Sequence, residues 1–93
     1  MAVDRALQRA LELHRLGRVA EATAAYESLC SCEDVKPFVT HLLAVAAFQS
    51  GQLQRGIALA ERAIHLDANS APFHFNHANL LKASGRLEEA IGA

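Results

Sequence analysis

Several features are missing from this chain, and each absence removes a class of protein. No stretch of its 93 residues approaches the roughly 20 continuous apolar positions that span a bilayer. Met1 leads into Asp4, Arg5, Arg9 and Glu12 with no signal-peptide core, so the chain reads as cytoplasmic and without a membrane partner. Runs of like charge are also absent. Nine basic against ten acidic side chains, net charge -1, offer no extended positive face for a phosphate backbone, which excludes nucleic acid as a partner. Cysteine is scarce: Cys30 and Cys32 have one residue between them, a spacing that strains a disulfide, so both are expected as reduced thiols. No β-branched alternation or hairpin turn chemistry points to strands. No glycine-rich phosphate loop or oxyanion-hole motif is visible, and the chain is expected to be neither an enzyme nor a cofactor carrier.

What is present is an ordinary folded composition, 52% apolar and 20% charged, organised by a repeat. Gly17-Arg18-Val19-Ala20-Glu21-Ala22 recurs as Gly51-Gln52-Leu53-Gln54-Arg55-Gly56 and again as Gly85-Arg86-Leu87-Glu88-Glu89-Ala90, at intervals of 34 residues. In the same register Ala10, Ala44 and Ala78 are small, Ala22, Gly56 and Ala90 are small, and Leu13, Ala47 and Leu81 are apolar. Small residues at a fixed place on two helices let their backbones approach, which marks a helix crossing. The three glycines follow helix-favouring stretches, the place for a left-handed cap that turns the chain. Each is therefore expected to separate two helices.

The intervening pattern is helical. Apolar residues 3, 6, 7, 10, 11, 13 and 16 form a stripe, with Arg5, Gln8, Arg9, Glu12 and Arg15 on the other side. The expected helices are Val3–Leu16, Val19 to about Cys30, one opened by Pro37 and running to about Ser50, and Leu53–Leu66. Asp67-Ala68-Asn69-Ser70 is a turn with Ser70 as N-cap, and Pro72 sits early in a fifth helix reaching Ser84. A sixth opens at Leu87. The expectation is a single all-α domain: a right-handed helical-hairpin repeat of about two and a half units, 3–36, 37–70 and a truncated 71–93.

These residues resemble the tetratricopeptide family, a 34-residue helix-turn-helix with small residues at the crossings and glycine between the helices. The second unit matches best, through Ala44, Gly51, Gly56, Ala63 and Leu66-Asp67. The first matches through Ala10, Gly17, Ala22 and Tyr26 but has Leu29 where a small residue is usual, then Cys30-Ser31-Cys32, so its second helix is expected to end irregularly. In the third, His74 and His77 replace an aromatic residue and a leucine.

The resemblance implies a concave groove, lined by the first helix of each hairpin, that binds a peptide or a partner helix. Carried over by position, its residues are Leu7, Leu11 and His14 from the first unit, Phe38, His41, Leu42, Val45, Phe48 and Gln49 from the second, and Phe75, Asn76, Asn79 and Lys82 from the third. The clamp with which one subgroup holds a C-terminal carboxylate is largely missing, because its places hold Leu7, Leu11, Leu42, Pro72 and Asn76. Asn76, within Phe73-His74-Phe75-Asn76-His77-Ala78-Asn79-Leu80-Leu81, is similar to the asparagine recurring in bacterial arrays joined to sugar-transferring enzymes.

Two sharper readings compete with plain packing. His74 and His77 lie one turn apart and could hold a metal, but third and fourth ligands are missing, so no metal is expected. Cys30 and Cys32 have only Lys36 nearby in sequence as a positive partner, poor support for a nucleophile. Phe38, Phe48 and Phe75 divide between binding anchors and core.

The third unit stops at Ala93, about two turns into its second helix. The stripe Phe73, His77, Leu80 and Leu81 is then expected to lack its cover, implying either a longer array, with more repeats or a catalytic domain beyond Ala93, or self-association through the open C-terminal end.

Overall fold

The computed structural model describes the backbone of residues 2–92 and the side chains of residues 3–85. It contains five helices, α1 (Ala2–Arg15), α2 (Val19–Leu29), α3 (Lys36–Gln49), α4 (Leu53–Leu66) and α5 (Ala71–Gly92), and no strand among the described residues. The fold is all-α, and its architecture is that of a tetratricopeptide-like helical repeat. Helices α1 and α2 pair, as do α3 and α4, and the hairpins join through α2 against α3 and α4 against α5. Stacking in one direction gives an elongated body of 51 × 29 × 17 Å.

The turn within each hairpin is made by a glycine that no other residue would replace cheaply. Gly17 and Gly51 have φ of +82° and +81°, the left-handed region that costs a residue with a Cβ about 1–2 kcal/mol. In both turns the next amide reaches back to close the helix: Arg18 N–H donates to the Leu13 carbonyl at 2.9 Å and Gln52 N–H to the Ala47 carbonyl at 2.8 Å. Small residues then permit the crossing. A Cβ built on Gly56 of α4 would lie 3.2 Å from the Ala44 carbonyl oxygen and 3.8 Å from the Ala47 Cβ, so only a residue of minimal size fits against α3. In the first hairpin Ala10 and Ala22, at the equivalent places, are fully buried.

The third glycine departs from this plan. Gly85 was expected to end a helix at Ser84 with a sixth opening at Leu87, yet α5 runs unbroken from Ala71 to Gly92 and Gly85 is not among the glycines of positive φ. A glycine inside a helix costs only about 1 kcal/mol relative to alanine. A reversed turn repays its strain when the following helix packs back, as the 11 and 14 residues of α2 and α4 do.

The core is divided between the seams. Ala10, Leu13, Ala22, Tyr26 and Leu29 of the first hairpin pack with Val39 and Leu43 of α3. A second cluster joins Ala44, Ala60 and Leu80. Contrary to the sequence expectation, Phe73 and Leu80 are therefore covered, at 6% and 2% exposure, because they face the preceding hairpin; Leu81, on another side of α5, stays 48% exposed. Helix α2 ends at Leu29, three residues short of the place equivalent to the end of α4. Tight i→i−3 bonds follow, from Cys30 N–H to the Glu27 carbonyl and from Cys32 N–H to the Leu29 carbonyl. That shortening accompanies Leu29, which is buried where the second hairpin has Ala63.

Candidate functional site

The helices that open each unit, α1, α3 and α5, carry most of the large apolar side chains that remain in water. Leu11, Phe38, Phe48, Phe75 and Leu81 lie on them, and of the other two such residues among those described Leu66 ends α4 and Leu16 lies in the turn after α1. Exposed apolar surface gathered on one set of helices is the mark of an interaction face. Leu7 and Leu42 are half-buried against the first core cluster, so they support the floor more than they form its surface. Val45 is half-buried; Gln49, Asn79 and Lys82 are exposed.

His14 joins the first two units. Its Nδ1 lies 2.8 Å from the Tyr26 hydroxyl and its Nε2 lies 2.6 Å from Gln49 Oε1. One neutral tautomer satisfies both contacts, with Nε2–H donating to the amide oxygen and Nδ1 accepting from the phenol. The Tyr26 ring meets the imidazole edge-on, with centroids 5.6 Å apart. Tyr26 is fully buried, and burial raises its pKa. His14 thus ties α1, α2 and α3 together at the expected groove position.

Between α3 and α5 it is His41, the register counterpart of Leu7 and not of His14, that makes the contact, by stacking. Its ring lies 4.8 Å from that of Phe73 and 6.4 Å from that of Phe38, both nearly parallel. Burial lowers its pKa, favouring the neutral imidazole. Its Nδ1 has no hydrogen-bond partner, and neither do Asn76 Nδ2 and His77 Nε2; among the described residues these are the buried side-chain polar atoms left unpaired. At one end of this seam the aromatic rings open into a cavity of about 340 Å³ that also involves Pro37, Pro72, Asp34, Asp67 and Ser70. Sequence reasoning placed Phe38 and His41 in the site but put Phe73 in a stripe on α5 expected to lack its cover; the two prolines, 35 residues apart, were the available signal for a shared helix-entry edge.

The structure brings neither the cysteines nor the other histidines into a reactive cluster. Burial pushes the Cys30 thiol pKa up, Arg62 and Lys36 oppose that and Glu27 adds to it, so the thiolate is disfavoured. Cys30 and Cys32 are both free. His74 Nε2 bonds the Ala68 carbonyl at 2.8 Å, capping the turn before its own helix. No group of three possible metal ligands occurs among the described residues. No helix among them is long and apolar enough to cross a membrane.

Comparison with known proteins agrees with this geometry. Over 75 residues, 81% of the chain, the sequence is 35% identical to a TPR repeat-containing thioredoxin, TTL4, of Arabidopsis thaliana. The chain spans about 10% of that relative's length. No family model matches the chain. No solved structure matches it either.

Proposed function

We propose that this chain is a tetratricopeptide-type interaction segment that holds a peptide or a partner's helix along the face formed by α1, α3 and α5. The observation that carries the reading is the exposure of Phe38, Phe48 and Phe75, at 42%, 46% and 70%, on helices whose other apolar side chains are largely packed. An amphipathic helix or extended segment laid there gains by covering these rings, while the exposed Gln49 and Asn79 offer amide groups to a passing backbone; the Asn76 Nδ2 is buried. The likeness to a TPR repeat-containing protein supports the repeat and the class of partner, protein or peptide. The thioredoxin in that relative's name is not carried over, since the match spans a tenth of its length.

Capture from a cell lysate by the immobilised chain, followed by mass spectrometry, tests the reading against variants Phe38→Ala, Val45→Glu and Phe48→Ala. The captured set is expected to shrink at least tenfold with unchanged helicity by circular dichroism. Capture that survives all three substitutions rejects the groove and leaves a segment that spaces or assembles other parts of a protein. That architectural reading draws on Leu81, which lies outside the groove positions and is 48% exposed.

A further inference from the structure

The seam between the second and third units carries a stack of rings that is closed at one end and open at the other. Phe73 is 6% exposed, His41 is half-buried on it with centroids 4.8 Å apart, and Phe38, 6.4 Å from His41, is 42% exposed. The stack walls the cavity of about 340 Å³, at the small end of the range for ligand pockets and suited to one long side chain. Two carboxylates share that cavity and come from different turns, Asp34 from the stretch before α3 and Asp67 from the turn between α4 and α5. Both are exposed, and among the described residues neither makes an ion pair. Lys36, two residues from Asp34, lies 3.9 Å from Glu33 instead. Asp67 uses one oxygen to accept the Asn69 N–H at 3.3 Å. The helix ends beside the cavity do not cancel these charges. Helices α3 and α5 present positive N-terminal ends there and α4 its negative C-terminal end, leaving about half an elementary charge against two carboxylates. Pro37 and Pro72, which also line the cavity, carry no N–H to point at a cation.

We propose that this cavity receives an arginine side chain of the partner peptide. The guanidinium stacks on the exposed part of Phe38, adding one layer to the rings, while Asp34 and Asp67 supply the opposite charge at the rim. Arginine suits the site better than lysine, because its cation is planar, stacks on an aromatic face and is more weakly hydrated than an ammonium. Burial keeps His41 in its neutral form, so the second ring of the stack does not repel the charge. The proposal rests on the reading of this chain as a segment that holds a peptide. It adds a requirement that the apolar rings alone do not impose, a basic residue at one place in that peptide.

The probe is a capped alanine pentapeptide with arginine at its centre, titrated into the isotopically labelled chain at low salt and followed by the NMR shifts of backbone amides. Saturable shifts are expected at Asp34, Phe38, His41 and Asp67. The same peptide with citrulline, which keeps the shape of arginine without its charge, is expected to bind at least roughly tenfold more weakly, and the lysine peptide several-fold more weakly. Asp34→Asn combined with Asp67→Asn is expected to weaken the arginine peptide roughly tenfold. Asparagine at 67 keeps the oxygen that accepts the Asn69 N–H, and circular dichroism checks that the variant is folded. Citrulline or lysine binding as tightly as arginine overturns the proposal. So does an unchanged affinity in the double variant, or no shift at the cavity with millimolar peptide. The two readings fail separately, since Val45 and Phe48 do not line the cavity. Lysate capture that survives Val45→Glu and Phe48→Ala rejects the groove, whereas capture lost in those variants but untouched by the double aspartate variant overturns the arginine site alone.

Discussion

The two seams that join successive units use a histidine in opposite ways. Between the first and second units His14 has a partner for each nitrogen, Tyr26 and Gln49, and Tyr26 is fully buried beneath it. Between the second and third, His41 is pressed between Phe38 and Phe73 with Nδ1 unpaired, and Asn76 Nδ2 and His77 Nε2 nearby on α5 are unpaired as well. A buried polar atom that is paired fixes a geometry, whereas one left unpaired costs about 1–3 kcal/mol. The first seam therefore specifies its packing and the second tolerates it. Outward-facing residues show the same gradient. Val39 and Leu43, which pack on the first hairpin, correspond to Arg5 and Arg9 at the outer face of α1, so the repeat presents charge at one end and the uncovered Leu81 at the other.

The contrast breaks most directly at Tyr26. Tyr26→Ala removes a fully buried ring shared by α1, α2 and α3 and is expected to cost about 3–5 kcal/mol, a large share of the stability of a chain this size. Urea titration followed by circular dichroism measures it. A loss below about 1 kcal/mol would mean that the first seam is not the organising one.

Exchanging each histidine for phenylalanine sharpens the comparison, because opposite outcomes are expected. His14→Phe leaves the Tyr26 hydroxyl buried without a partner, at a cost of about 1–3 kcal/mol. His41→Phe keeps the aromatic stack and removes an unpaired nitrogen, so it is expected to be neutral or slightly stabilising at pH 8. Equal losses in the two variants would erase the distinction between the seams.

Glycine substitution makes a smaller version of the same comparison. Gly51→Ala forces a Cβ into the left-handed region and is expected to cost about 1–2 kcal/mol. Gly85→Ala, in a helix with open space around it, is expected to gain up to about 1 kcal/mol in thermal or urea unfolding. A loss at both positions would show that Gly85 turns the chain after all.

These differences also mark what the sequence could disclose. Period and residue size placed α4 at Leu53–Leu66 to the residue and identified Gly17 and Gly51 as turns, because those features depend on local conformation and on contacts repeated in each unit. The continuation of α5 through Gly85 was not legible. The same glycine signal serves a turn or a helix, and the packing that chooses between them comes from the residues that follow. Nor was the His14 to Gln49 bond, which spans 35 residues and follows from how two hairpins settle on each other. Phe73 was legible as apolar but not as buried, since it is stacked on His41 of α3, a contact made between units.

The smallest effect concerns protons and isolates His41. Burial holds its pKa below the ordinary 6.5, so the unfolded chain takes up a proton at a higher pH than the folded one. Stability is therefore full above about pH 6.5 and declines as pH falls through that value toward the lower folded pKa, because protonation favours the unfolded state. Asp34 and Asp67 line the cavity beside the ring, and their negative charge opposes the decline without removing its desolvation cause. His41→Phe is expected to flatten the part of the stability profile between pH 7 and pH 5 that this residue contributes. Urea midpoints at half-unit pH steps read the change, and an unaltered profile would show that the second seam keeps its imidazole as wet as an unfolded chain does.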